Sequence, residues 1–60
     1  MTIEGVFRIH RDNQTGEVHP NGRDPCRYFV RNDVVKKHLL KDLQPVRCKV
    51  LGYTVLEVLP

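Results

Sequence analysis

The sequence predicts a mainly β protein: a small barrel of five strands with one short helix between the third and fourth strands. Runs of alternating apolar and polar residues occur both before and after one stretch in which apolar residues recur at helical spacing. Segments rich in Gly, Pro, Asn and Asp separate these runs, as turn residues do between short strands. Because 60 residues can build only one core, residues 1–60 are predicted to form a single domain.

The first strand is expected from Ile3 to His10. Phe7 and Ile9 share one parity and point inward, whereas Arg8 and His10 share the other parity and point outward. The strand therefore has one apolar face and one face that carries basic side chains.

A turn and a loop flank the expected second strand. Residues Asp12 to Gly16 have turn chemistry, because Asx side chains cap turns and glycine takes positive φ. The second strand then covers about Glu17 to His19. Residues Pro20 to Pro25 contain two prolines and an Asn-Gly pair, so they are expected to form a surface loop.

The third strand is expected from Cys26 to Arg31, again with strict alternation. Parity alone does not say which face is inside. If Tyr28 and Val30 point inward, the outward face consists of Arg27, Phe29 and Arg31.

A helix is expected from Asp33 to Leu43, with Asn32 or Asp33 as its cap. The β-branched pair Val34-Val35 lowers helix propensity, which favours an element of only one or two turns. Pro45 is expected to stop the helix. The positions on its predicted apolar side recur near 3.6 spacing and are Val34, Val35, His38, Leu39 and Leu43. The lysines on its predicted solvent-facing side are Lys36, Lys37 and Lys41.

The last two strands are expected at Val46 to Leu51 and at Tyr53 to Leu59, with a tight reversal at Gly52. The final strand is apolar on both faces, so its edge needs covering. This pattern is compatible with homodimerisation through that strand. This order of elements is the layout of an OB-type fold, and small basic barrels of that type mostly bind single-stranded nucleic acid.

Three segments resemble the cold-shock domain, an OB-fold family that binds single-stranded RNA and DNA. Gly5 to Ile9 resembles the family's opening strand, Tyr28 to Arg31 resembles its second RNA-binding motif, commonly V-F-V-H, and Leu43 to Val50 resembles its fourth strand. The resemblance covers nearly the whole chain and implies nucleic-acid binding.

The chain departs from that family at its first RNA-binding motif. The family has exposed aromatic residues there. Thr15 to His19 contains no aromatic stacking residue of that kind, and the acidic Glu17 stands where one would be expected. Since stacking is worth roughly 1–3 kcal/mol per base, we expect a lower affinity for single strands than in the family.

Charge and hydropathy indicate which partners and which cellular compartment to expect. The net charge of +3 favours an anionic partner. No apolar run approaches the roughly 18 residues of a membrane span, and residues 1–5 lack the pattern of a signal peptide. We therefore expect a cytoplasmic protein that does not bind membranes.

Catalytic, metal and cofactor sites are not expected. The chain has no serine, and its three histidines, His10, His19 and His38, lie on separate elements without metal-ligand spacing. Cys26 and Cys48 have no CxxC spacing either. A barrel of this size has no room for an enclosed pocket, so we predict no enzyme and no cofactor.

Basic and aromatic residues on the outward parities are the candidate binding site. Phe29 can stack on a base, and arginines can pair with phosphates. The alternatives are that Phe29 packs in the core and that the charged residues are only solvated. The candidate nucleic-acid-binding residues are Arg8, His10, Arg27, Phe29, Arg31, Lys36 and Lys37.

Two functions are consistent with these patterns. The first is a small protein, a candidate regulator, that holds single-stranded RNA or DNA across the face of Arg8, Arg27, Phe29 and Arg31. The second is a protein-interaction module, such as a regulator or inhibitor of a phage or mobile element, on the same barrel. The missing aromatic residues near Gly16 and the near balance of 10 basic to 7 acidic residues favour the second.

Overall fold

The computed structural model describes all residues from 1 to 60. The strands are β1 (Thr2–Ile9), β2 (Gly16–Pro20), β3 (Tyr28–Val30), β4 (Gln44–Leu51) and β5 (Thr54–Leu59), and the helix is α1 (Asn32–Lys37). They close into a barrel in the order β1-β2-β3-β5-β4, with β4 paired back to β1. The predicted five-stranded OB-like barrel, with a helix between its third and fourth strands, is confirmed.

The core consists of eleven buried apolar residues, and the alternation in β1 and β3 is as predicted. Phe7 is fully buried while its neighbour Arg8 is exposed. Tyr28 and Val30 are buried on either side of the exposed Phe29. The period of two therefore identified the inner face of β1, and in β3 the structure decides the question that parity left open: Tyr28 and Val30 point inward.

The β1–β2 hairpin turns where its residues favour a turn. Asp12 Oδ1 accepts hydrogen bonds from the backbone N–H groups of Gln14 and Thr15, both at 2.9 Å. Asn13 has φ 58°, a left-handed conformation that asparagine tolerates. A Cβ at Gly16 would overlap the ring of Phe7, so glycine lets the hairpin lie directly over that core residue.

Helix α1 differs from its prediction at both ends. It ends at Lys37 instead of Leu43, and it begins after Arg31, whose side chain makes no capping hydrogen bond. Neither Asn32 nor Asp33 is the cap. Val34 and Val35 do face the core, and the shortness that their β-branching favours is confirmed.

The chain leaves α1 through two left-handed leucines. Leu39 has φ 50°, and its N–H bonds Lys36 O while the N–H of Leu40 bonds Val35 O, the pairing of a Schellman motif in which glycine is usual. Leu43 has φ 67°, and its N–H donates to Phe7 O at 2.8 Å, which brings the chain into pairing with β1. Leu39 and Leu43 are 78% and 62% exposed, so the predicted apolar helix face is wrong at both positions.

Pro45 was wrongly predicted to stop the helix. It is the second residue of β4, opposite Val6 of β1. The β5 ladder reaches only as far as Arg47, so no strand lies beside Pro45 on its other side. Proline is tolerated in a strand where no ladder donor is needed, which explains this position.

Strand β5 is paired on both sides. It pairs with β4 in antiparallel fashion and with β3 in parallel fashion at one position, where Phe29 stands beside Thr54. The exposed edge expected from the sequence is therefore covered within the chain, and homodimerisation stays a prediction. A bulge places Leu56 between two ladder pairs, so both Leu56 and Glu57 are exposed.

Candidate nucleic-acid interface

The outer surface of β1, β2 and β3 brings together most of the candidate binding residues. Arg8 stands opposite Glu17, and Glu17 stands opposite Phe29, so three strands contribute to one row. We call this surface the aromatic face and define it by these residues: Arg8, His10, Glu17, His19, Arg27, Phe29 and Arg31.

Phe29 lies at the third-strand end of this row, with its ring outside the barrel. It is 44% exposed, a large fraction for a phenylalanine, while Tyr28 and Val30 fill the core. Its ring stacks on the imidazole of His10, with 6.1 Å between centroids and 30° between planes. The core alternative for Phe29 is therefore wrong, and a flat aromatic surface is available to solvent.

A chain of hydrogen bonds orients the His10 ring. The hydroxyl of Thr15 donates to Asp12 Oδ2 at 2.7 Å, so Thr15 Oγ1 accepts the hydrogen bond of His10 Nδ1 at 3.0 Å. On the other side of the ring, Nε2 donates to Glu17 Oε1 at 3.0 Å. Both ring nitrogens of His10 therefore have hydrogen-bond partners, and these fix the orientation of the ring.

Glu17 is the anionic centre of the aromatic face. Its second oxygen, Oε2, accepts a hydrogen bond from His19 Nε2 at 2.8 Å and lies 3.7 Å from Arg27 Nε. The hydrogen bond from His10 is the main cause that lowers the pKa of Glu17; partial burial opposes it, and His19 adds to the lowering. Three cationic or protonatable groups, from the end of β1, from β2 and from the residue before β3, thus surround one carboxylate.

Each arginine of the aromatic face has a carboxylate nearby. Three arginines and three carboxylates cancel, so any net positive charge at this face comes from His10 and His19. Arg27 also donates from Nη1 to the carbonyls of Pro25 and Cys26. The N–O distances are 3.1 Å for Arg8–Asp42, 3.7 Å for Arg27–Glu17 and 3.8 Å for Arg31–Asp33.

Asp42 connects the α1–β4 segment to β1. Its Oδ1 accepts hydrogen bonds from the backbone N–H of Ile9 at 3.0 Å and from Arg8 Nε at 3.1 Å. The bond from Ile9 is the largest cause that lowers the pKa of Asp42, and Arg8 contributes to it. This carboxylate holds the Arg8 side chain at the edge of the aromatic face.

The remaining candidates, Lys36 and Lys37, lie apart from this network. Both are exposed in the last turn of α1, and neither makes a hydrogen bond or ion pair with the aromatic face. The structure therefore brings together five of the seven predicted site residues in contact or in adjacent positions and leaves the two lysines on the helix.

A second concave surface lies elsewhere on the barrel. This groove of about 440 Å³ contains no carboxylate and no histidine, and Tyr28 and Tyr53 meet in it at 5.8 Å between ring centroids. Both cysteines of the chain are free. No group of three or more His, Cys, Asp or Glu side chains is arranged to hold a metal ion. The residues that line the groove are Met1, Cys26, Tyr28, Val50, Leu51, Gly52 and Tyr53.

Sequence reasoning missed three members of the site: Glu17, His19 and Asp42. It noted that Glu17 could approach Asp24, but Asp24 instead accepts from the backbone N–H of Cys26, and Glu17 contacts histidines. One pattern could have found the cluster. Glu17 and His19 share a parity, and a hairpin places that parity beside the outward parity of the first strand.

Comparisons with known proteins give no independent indication of function. No protein-family model matches the chain, and no curated protein or solved structure matches it significantly. The resemblance to cold-shock domains therefore stays a prediction. The structure also contains no helix with the length and apolar character needed to cross a membrane.

Proposed function

We propose that this protein binds single-stranded RNA or DNA across the aromatic face. The observation that carries the proposal is the exposed ring of Phe29, placed on the outside of β3 between Arg27 and Arg31. An exposed ring accepts a base of any sequence, and flanking guanidinium groups pair with phosphates. We propose binding rather than catalysis, in the cytoplasm and in a regulatory role.

The proposed interaction is modest in affinity. Phe29 is one stacking platform, supplemented by the imidazole of His10, and stacking is worth roughly 1–3 kcal/mol per base. The arginines must exchange their carboxylate partners for phosphates. If all three engaged phosphates, the slope of log K against log salt would be about −2. Lys36 and Lys37 are proposed to extend the phosphate path beyond the sheet.

Fluorescence anisotropy of labelled oligothymidylate and oligouridylate, titrated with the protein at low and moderate salt, tests this proposal. We expect saturable binding to both probes that weakens as salt rises. A matched duplex of the same length should bind more weakly, because paired bases cannot stack on Phe29. Absence of binding at low salt to either single strand would refute the proposal.

A protein-interaction module is the second candidate function, and one observation favours it. The three arginines of the aromatic face are balanced by three carboxylates, so this surface is less positive than the chain's net charge suggests. Protein interfaces tolerate such balanced charge around an exposed aromatic side chain. Under this alternative, Phe29 anchors a protein partner and oligonucleotides do not bind.

A further inference from the structure

The surroundings of Glu17 are those of a bound anion. His10 and His19 each direct an Nε2 atom at one of its oxygens, at 3.0 and 2.8 Å, and Arg27 Nε lies 3.7 Å from it. These groups come from the residue after β1, from β2 and from the segment before β3. Imidazolium and guanidinium groups at such distances bind phosphate oxygens as readily as carboxylate oxygens.

The position of Glu17 matters as much as its partners. It stands opposite Phe29 in the ladder, so the carboxylate lies on the strand next to the exposed ring. A nucleotide whose base stacks on Phe29 would place its phosphate close to Glu17 and its partners. Glu17 would then repel the phosphate and hold the donors that the phosphate needs.

We propose that His10, His19 and Arg27 form a phosphate-binding site that Glu17 occupies in the free protein, as a built-in competitor of the nucleic-acid backbone. The inference rests on the proposed function, because it assigns the ligand of that same face to a phosphodiester group. It also accounts for the convergence of His10, His19 and Arg27 on one carboxylate in the unbound chain.

The test compares Glu17→Gln with Glu57→Gln. Both substitutions remove one negative charge, but Glu57 lies on β5 opposite Lys49, away from the aromatic face. With labelled oligothymidylate at about 20 mM salt, we expect Glu17→Gln to lower the Kd by about tenfold and Glu57→Gln to change it by less than about twofold. Equal effects of the two variants, or weaker binding by Glu17→Gln, would overturn the inference.

A second pair of variants asks whether the gain passes through the proposed donors. Arg27→Gln added to Glu17→Gln should abolish the gain, whereas Arg47→Gln added to Glu17→Gln should leave most of it. Arg47 is the matched control because it is an exposed arginine on β4. Equal losses in the two double variants would contradict a site built on Arg27.

Titration with inorganic pyrophosphate, followed by the NMR signals of the histidine side chains, separates this inference from the proposed function. We expect His10 and His19 to shift in Glu17→Gln and not in Glu57→Gln. Such shifts without oligonucleotide binding would keep the anion site and reject nucleic acid as its ligand. If the wild type binds oligonucleotides and Glu17→Gln does not tighten that binding, only the role of Glu17 as a competitor is rejected. If neither pyrophosphate nor oligonucleotides elicit a response, both the anion site and the proposed function are rejected.

Discussion

The two halves of the barrel's outer surface distribute their charges differently. On β4 and β5, basic and acidic residues alternate across strands: Arg47 stands opposite Glu4 of β1, and Lys49 stands opposite Glu57. Two large apolar side chains are also exposed on these strands: Leu56 at the bulge and Leu51 at the end of β4. We call the exposed residues Arg47, Lys49, Leu56 and Glu57 the β4–β5 surface.

The aromatic face instead gathers its charges around one residue. His10, His19 and Arg27 converge on Glu17, and the Phe29 ring lies beside them. Dispersed, alternating charges are what a solvated strand surface requires. Convergent donors next to an exposed ring could instead hold an anion attached to a flat group, and the proposed function rests on this difference between the two surfaces.

The largest expected effect comes from truncating the exposed apolar side chain on each surface. Phe29→Ala should weaken oligonucleotide binding by at least about fivefold, because it removes the stacking platform. Leu56→Ala, at a similarly exposed position, should leave the Kd nearly unchanged. Anisotropy titrations measure both. A large drop in melting temperature for Phe29→Ala, with no change in Kd, would indicate that Phe29 stabilises the fold and does not contact the oligonucleotide.

Removing one arginine from each surface should give the next largest effect. Arg31→Gln should reduce the magnitude of the salt slope of binding by about 0.7, the value for one phosphate contact on a single strand. Arg47→Gln should leave the slope unchanged. Kd values measured over a series of salt concentrations provide both slopes. Identical slopes for the two variants would mean that the basic residues act only through overall charge.

The turn that orients His10 should matter for stability. Hydrogen bonds from the backbone of Thr15 and Gln14, and from the hydroxyl of Thr15, lower the pKa of Asp12 from 3.8 to about 2. Because the folded-state pKa is depressed, this stabilisation is complete above about pH 4 and is lost as the pH falls towards 2. Asp12→Asn should lower the Tm by a few degrees at neutral pH.

Thermal unfolding between pH 7 and pH 2 measures the contribution of Asp12. The difference in Tm between wild type and Asp12→Asn should shrink as the pH falls through the range between the two pKa values. A difference that is the same at every pH would show that the charge of Asp12 contributes nothing.

The smallest expected effect is on the stability of the two glutamate variants. Glu17→Gln should lower the Tm slightly, because Glu17 accepts from two histidines, whereas Glu57→Gln should leave it within about a degree. The pKa of Glu17 is lowered below its ordinary 4.5, so its contribution exists above that value and is lost as the pH falls below it. Calorimetry at neutral and acidic pH can check both statements, and equal Tm losses at neutral pH would contradict them.

Much of the fold could be predicted because its signals are local. Alternation identified Phe7 as inward in β1 and placed Tyr28 and Val30 on one shared face of β3, and the turn residues from Asp12 to Gly16 located the first hairpin. The exit from α1 could not be predicted in this way. Leu39 and Leu43 have helical spacing but left-handed backbones, because the chain must turn there to pair β4 with β1.

The candidate site was predictable only in part. The outward parities contained Arg8, His10, Arg27, Phe29 and Arg31, but not Glu17, which stands opposite both Arg8 and Phe29 and contacts His10 and Arg27. Their carboxylate partners come from β2 and from both ends of the α1 region. Pairing across such sequence distances depends on strand register, which composition does not reveal.

The sequence by itself determined the five-stranded barrel and which residues share a face of each strand, because alternation and turn chemistry act over a few residues. Only the tertiary structure decided that the Phe29 ring is exposed and that Glu17 meets His10 and His19. The reason is geometric: closing the barrel sets the register between strands, and the register decides which charges lie within hydrogen-bond distance.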